Sequence, residues 1–247
     1  MPRFFFNGVL SDLHSAVTLP INTIRHLHAL RMRNGDTLEL FNGNGYAYLA
    51  KLINLDKKSA IAEVFSRKDS KISNKIQIKL AMCMIANDKM DLVIQKAIEL
   101  GVQEIIPVIS ERTQRVSNDK IDKKILHWQN IVISSCEQCG NNILPDIAPV
   151  HKFDDLVTKY SATSSIKKII MSTQLYDLGN NSSDADLNEV LLVVGPEGGF
   201  TDDEVSLAII KGFSLMNLGN LIMRAETAAI AGIVVIHTKF KNWLVNG

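Results

Sequence analysis

Long hydrophobic runs are missing from this sequence: no apolar stretch reaches the roughly 18–20 residues that a membrane span requires. The apolar start Phe4-Phe5-Phe6 follows a single basic residue and is interrupted too soon to serve as a secretory signal. The expected compartment is therefore the cytoplasm, with no membrane partner. Cysteine is scarce too, and three residues in 247 are no disulfide framework. Cys136 and Cys139 form a C-x-x-C pair, yet a structural zinc site needs two further ligands at similar spacing, and Cys83 alone does not supply them. A redox pair would open a helix after a strand, whereas this pair closes a helical stretch, so neither metal nor redox chemistry is expected. Nor is there an excess of one charge, with 27 basic against 26 acidic residues. Neither phosphate-loop signature, G-x-G-x-x-G or G-x-x-x-x-G-K-[ST], is present.

What is present is an ordinary globular composition, 46% hydrophobic and 21% charged, in which the charge is unevenly spread. Residues 1–73 carry ten Lys and Arg against six Asp and Glu, a charge of +4, while the remainder carries −3. A basic first part is suited to a polyanion, although a solvated basic face reads the same way. That first part is strand-rich. Asp36–Phe41 alternates polar and apolar, Asn42-Gly-Asn-Gly45 supplies a turn, and Tyr46–Ile53 and Ala60–Phe65 resume strand character, which predicts a small barrel or sandwich. Ile21–Met32 reads as a short helix rich in Arg and His, and Ser66–Asn74 as a polar linker.

Beyond residue 74 strands alternate with helices. Strands are expected at 76–85, 102–109, 168–171, 190–194 and 213–218, and helices at 89–100, 119–138, 201–211 and 226–239. Asp177–Asn188 reads as a polar surface loop. This order implies an α/β domain, residues 74–247, with a mostly parallel sheet covered on both faces.

Two segments of that domain carry the chemistry. In the first, the strand Leu191–Val194 runs into Gly195-Pro-Glu-Gly-Gly-Phe-Thr201, and a helix follows whose Thr201 and Glu204 form a capping box. A plain tight turn before a capped helix has the same pattern. If a ligand binds there, Glu197, Asp202, Asp203 and Glu204 crowd the helix start with negative charge and repel a phosphate. A cationic ligand with an adenosine body, such as S-adenosylmethionine, fits better. In the second segment, Leu218-Gly-Asn-Leu-Ile-Met-Arg-Ala-Glu-Thr227, apolar side chains offer a surface to a purine. The small residues that follow allow close helix approach, as ordinary core packing also would.

Taken with Lys96-Ala-Ile-Glu-Leu-Gly-Val102 and Glu137-Gln-Cys-Gly140, these segments resemble the bacterial RsmE family over nearly the whole chain. The resemblance implies a SPOUT-type trefoil-knotted methyltransferase domain, preceded by a small PUA-like β-barrel that binds RNA. It implies a homodimer that methylates N3 of one uridine in 16S ribosomal RNA, with S-adenosylmethionine as donor and no metal. Carried over by residue, it places donor binding at Gly195, Glu197, Gly198, Gly199, Leu218, Gly219, Ile222, Met223 and Arg224, with Thr227 beside them. Asn141 stands where the family pattern has an arginine, so Arg112 or Arg115 is expected to provide that charge toward RNA.

Methylation at N3 is a direct displacement that needs alignment of the two reactants and removal of the imide proton. N3 lies on the Watson–Crick edge, so the uridine must be unpaired or flipped out. Arg224 is expected to steady the developing anion, with Glu226 or Glu197 accepting the proton. Arg3, Arg25, Arg31 and Arg33 are expected to meet RNA phosphates. Competing readings are a SPOUT enzyme acting on another RNA site, a different small-nucleotide enzyme, and a non-catalytic RNA-binding module.

Overall fold

Alternating apolar residues in the first part of the chain fold into a five-stranded sheet. The structure is a computed structural model that describes residues 1–10, 13–69, 76–114, 120–173 and 188–240. Its first elements are β1 (Arg3–Phe5), β2 (Ala16–Thr18), α1 (Ile21–Ala29), β3 (Thr37–Phe41), β4 (Tyr46–Leu55) and β5 (Ala60–Asp69). The order across the sheet is β1-β3-β4-β5-β2, with β1 parallel to β3 and the other pairs antiparallel. Among the described residues β1 and β2 do not pair with each other, so the ladder is open rather than a closed barrel. Leu38 and Leu40 on β3, Ala50 and Leu52 on β4, and Ala62 and Val64 on β5 point inward at every second position. Helix α1 adds Ile24 and Leu27 to that core. The expected hairpin forms, and Gly43 and Gly45 in its turn adopt φ of +88° and +90°.

The predicted linker is corrected in its first half. Ser66–Asp69 continues β5 and pairs with residues 46–49 of β4, while residues 70–75 lie outside the described set. The composition misleads because this stretch is polar: the Arg67 guanidinium, for one, lies 4.5 Å from the centre of the Tyr46 ring.

The later elements are β6 (Gln77–Cys83), α2 (Asn87–Glu99), β7 (Glu104–Ile109), α3 (Ile121–Cys139), β8 (Asp146–Ile147), β9 (His151–Lys152), α4 (Phe153–Ser161), β10 (Ile166–Met171), β11 (Glu189–Val194), α5 (Asp202–Ile210), β12 (Ser214–Met216) and α6 (Ala225–Lys239). The strands form one parallel sheet, ordered β12-β10-β11-β6-β7-β8, with β9 also on β7. Alternate residues serve opposite faces. Ala81, Cys83, Leu191 and Val193 pack with Phe153, Leu156 and Val157 of α4 and with Val205 and Ala208 of α5. Leu192 meets α6 at Gly232, where an added Cβ would come within 3.0 Å of Leu192 Cδ2 and 3.2 Å of Met171 Sδ. The stretch expected as a loop at Asp177–Asn188 lies outside the described residues except for Asn188.

The chain divides into two units, one of Met1–Ser73 with Ile133–Leu144, the other of Asn74–Val132 with Pro145–Gly247. The end of α3 and the loop after it therefore belong with the N-terminal sheet, an arrangement that a single cut at residue 73 does not convey. Within that first unit, Glu137 Oε1 accepts the backbone N–H of Phe5 at 2.9 Å. The Arg3 guanidinium donates to the carbonyls of Cys136 (3.3 Å) and Asn141 (2.7 Å) and to the Asn142 side chain. It also pairs with Glu39 and lies 4.1 Å from the centre of the Phe41 ring.

Candidate functional site

Three neighbouring parallel strands, β12, β10 and β11, deliver their carboxyl ends to one place. Open parallel sheets bind ligands beyond such ends, because the loops there are free of the sheet ladder and helices begin nearby. A cavity of about 370 Å³ lies at this point, lined by the exits of all three strands and the start of α6. The size suits a small-molecule ligand. Of the residues predicted from sequence, Gly195, Glu197, Gly198, Gly199, Leu218, Gly219, Ile222 and Met223 line it. Arg224, Glu226 and Thr227 are not among its lining, although Ala225 and Ala228 beside them are.

The glycine loop has a physical reason for its glycines. A Cβ on Gly195 would sit 3.1 Å from the Phe200 ring, and Gly199 adopts φ +66°, a left-handed conformation that a side chain disfavours. The capping box forms as expected: Thr201 Oγ1 accepts Glu204 N–H at 3.2 Å, and Glu204 Oε2 accepts Thr201 N–H at 2.9 Å. The other oxygen of buried Glu204 accepts the backbone N–H of Glu111 at 2.8 Å, which ties the exit of β7 to the glycine loop. From that exit Arg112 Nη1 donates to the carbonyl of Gly198 at 2.8 Å and, more weakly, to that of Phe200 at 3.4 Å. Arg112 thereby lines the cavity. Arg115, the alternative weighed with it, lies outside the described residues.

The second loop is set by Asn217. Its side-chain amide donates to the Thr173 carbonyl at 2.9 Å and its oxygen accepts Gly219 N–H at 2.7 Å, linking the exits of β10 and β12. Gly219 takes φ +122°. Leu221 and Ile222, more than four-fifths exposed, stand on the rim with Met223. Sequence reasoning missed Asn217, Ser172 and Thr173, all cavity-lining. For Ser172 and Thr173 the available signal was their position directly after the strand expected at 168–171, whereas Asn217 was hidden inside the strand expected at 213–218, which ends at Met216.

The three expected catalytic residues are placed differently from one another. Glu197 is exposed on the cavity wall, and its Oε1 accepts Ala86 N–H at 3.3 Å. Glu226 is buried in the first turn of α6, and its Oε2 has no hydrogen-bond partner among the described residues. Arg224 is exposed at the N-cap of α6 and makes no side-chain capping bond. Of the basic residues expected to meet phosphates, Arg25, Arg31 and Arg33 are exposed, whereas Arg3 is committed to the internal contacts described above. Burial pushes the thiols of Cys136 and Cys83 up to about 12, so both stay protonated near neutral pH.

Comparison with known proteins accounts for this arrangement. The RNA methyltransferase domain family matches residues 72–237, and the RNA methyltransferase PUA domain family matches residues 22–65. The ribosomal RNA small subunit methyltransferase E of Buchnera aphidicola subsp. Schizaphis graminum is 33% identical, over 97% of each chain. The chain belongs to the ribosomal RNA small subunit methyltransferase E family. A solved member, from Neisseria gonorrhoeae and bound to S-adenosyl methionine, is 37% identical with a TM-score of 0.88, covering 97% of this chain and 98% of its own. A Legionella pneumophila methyltransferase in complex with the same cofactor is 30% identical with a TM-score of 0.83, covering 96% and 97%. Methyltransferase E of Mesomycoplasma hyopneumoniae is 29% identical over 93% of this chain.

Proposed function

We propose that the chain transfers a methyl group from S-adenosylmethionine to N3 of a specific uridine in 16S ribosomal RNA. The observation that carries the reading is the cavity at the strand ends, which pairs apolar side chains with two carboxylates. Leu218, Ile222, Met223 and the small Ala225 and Ala228 suit an adenosine, and Glu197 and Asp202 suit a cation. Thr201 and three acidic residues already occupy the start of α5, which argues against a phosphate there.

Bound there, the donor supplies an electrophilic methyl carbon on a sulfonium. The chain's own task is to hold the uridine in line with it and to take the N3 proton, since the base is a poor nucleophile while that proton remains. Glu197, on the cavity wall, and Glu226, with its unpartnered oxygen, are the two carboxylates proposed to accept it. Arg224 is proposed to offset the charge that develops on the base. Separate Glu197→Gln, Glu226→Gln and Arg224→Ala variants distinguish them. Wild-type single-turnover rates with intact donor binding remove that residue from the chemistry.

Exposed Arg25, Arg31 and Arg33 are proposed to meet RNA phosphates, with residues 1–73 acting as the RNA-binding domain and 74–247 as the methyltransferase domain. The same reading carries the trefoil knot, a homodimer and a cytoplasmic location. Helix α6 is apolar around its circumference and leaves Val235 exposed, which supports a contact between copies. Among the described residues no helix is long and apolar enough to cross a membrane.

The test begins with calorimetric titration of S-adenosylmethionine, with ATP as control. Methyl transfer to 16S RNA and to the assembled small subunit follows, with the product located as a block to reverse transcription. Absence of donor binding, with and without RNA, overturns the proposal.

A further inference from the structure

The charges lining the donor cavity do not balance those of its proposed occupant. S-adenosylmethionine carries a sulfonium, an α-ammonium and an α-carboxylate. Glu197 and Asp202 on the wall are suited to the first two and repel the third. Three backbone N–H groups around the cavity that could otherwise hold a carboxylate are already spent. Gly199 N–H goes to the Pro196 carbonyl at 2.9 Å, Gly219 N–H to Asn217, and Glu204 N–H to Thr201. Among the described residues lining the cavity, the only basic side chain is Arg112.

We infer that Arg112 anchors the carboxylate of the donor's amino-acid tail, an assignment that rests on the methyltransferase reading above. Arg112 is held ready for this. Nη1 is fixed on the carbonyls of Gly198 and Phe200, and the alkyl chain lies against Gly198, where an added Cβ would be 3.4 Å from Arg112 Cδ. Behind it, Thr113 Oγ1 accepts Ser110 N–H at 2.9 Å, and Glu204 holds Glu111, so the backbone on either side is braced. Nε and Nη2 have no hydrogen-bond partner among the described residues. A guanidinium held at one nitrogen still offers two N–H groups in one plane, the geometry that a carboxylate accepts. This proposal gives Arg112 a role in holding the donor, where the sequence pointed to Arg112 or Arg115 as a contact for RNA.

The test compares S-adenosylmethionine with its decarboxylated analogue, which keeps the sulfonium and amine but has no carboxylate. Both are titrated into the full-length wild type and into Arg112→Gln, a variant that keeps a donor for the Gly198 carbonyl but loses the charge. A thermal melt first establishes that the variant is folded, and Arg112→Lys, which restores charge without the fork, is measured in parallel. Wild type is expected to prefer S-adenosylmethionine by about tenfold to a hundredfold, the range of a charge-assisted hydrogen bond. In Arg112→Gln that preference should vanish while affinity for the decarboxylated analogue stays within about twofold, and Arg112→Lys should recover part of it. Equal loss for both ligands reduces Arg112 to a brace for the glycine loop and overturns the assignment, as does no loss for either. Unchanged donor affinity with weakened RNA binding assigns Arg112 to a phosphate and overturns it equally. A wild type that binds neither ligand overturns the methyltransferase reading itself.

Discussion

Replacing Arg31 by glycine should make the protein more stable and poorer at holding RNA. Helices α1, α2 and α5 end in the same motif, in which two N–H groups turn back onto the last carbonyls and the residue after the C-cap is left-handed. After α2, Gly101 (φ +80°) donates to Ile98 O at 3.0 Å and Val102 to Ala97 O at 2.9 Å. After α5, Gly212 (φ +83°) and Phe213 do the same with Ile209 O and Ala208 O, both at 2.9 Å. After α1 the bonds to His28 O and Leu27 O are both 3.0 Å, but the left-handed residue is Arg31, at φ +57°. A side chain in that conformation costs about 1–2 kcal/mol. Glycine would remove the cost and return about 0.4–1 kcal/mol through its freer unfolded chain. The net gain for Arg31→Gly is therefore about 0.5–1 kcal/mol, because the exposed Arg31 side chain makes no hydrogen bond or ion pair among the described residues. With an m-value of about 3 kcal/mol/M, the urea midpoint should rise by about 0.2–0.3 M. If Arg31 meets a phosphate, the slope of log K for RNA against log salt should shrink by about 1 in the same variant. A midpoint that stays put or falls refutes the strain argument. An unchanged salt slope removes Arg31 from the RNA surface.

Three further outcomes are expected. Gly232→Ala should destabilise by about 1–3 kcal/mol, read by urea denaturation, because the added methyl meets Leu192 and Met171 with no room to spare. Arg3→Met keeps much of the apolar contact with Phe41 but strands the carbonyls of Cys136 and Asn141 and leaves Glu39 only the longer pair with Lys68, at 4.0 Å. It should cost about 2–4 kcal/mol in the same assay. His237 is buried with Nε2–H donated to Leu100 O at 2.7 Å, and burial lowers its pKa below 6.5 against the smaller opposing effect of that bond. Its folded form favours the neutral ring, so the associated stability is complete above pH 6.5 and declines as pH falls through the lowered value. Wild type should thus lose more stability than His237→Gln between about pH 7 and 5 in pH-dependent melts.

Elements with a strong period were the ones legible in the sequence. Strand β11, helix α5 with its capping box and the hairpin of β3 and β4 announce themselves through apolar runs, Thr201 with Glu204, and glycines at the turn. Strands β8 and β9 have two residues each, too few for any alternation to register. Helix α4 was legible but passed over: Phe153, Leu156, Val157 and Tyr160 are all buried at helical spacing, with Asp154 and Asp155 in the first turn. Of the site, the glycine loop is written as one continuous motif. Arg112 and Asn217 are not, because each reaches the cavity through tertiary contacts with residues 86 and 44 positions away.

The sharing of α3 between the two units bears on how the protein is made. Arg3 leaves the ribosome well before its carbonyl partners at Cys136 and Asn141, which lie 133 and 138 residues later. At about 5–20 residues per second, they follow roughly 7–28 seconds after Arg3. Throughout that interval the N-terminal sheet exists without its closing segment, while β6, α2 and β7 emerge behind it. The unit that holds Arg3 is thus completed only when most of its neighbour's first half has been synthesised, so the segments of the two are made in interleaved rather than successive order.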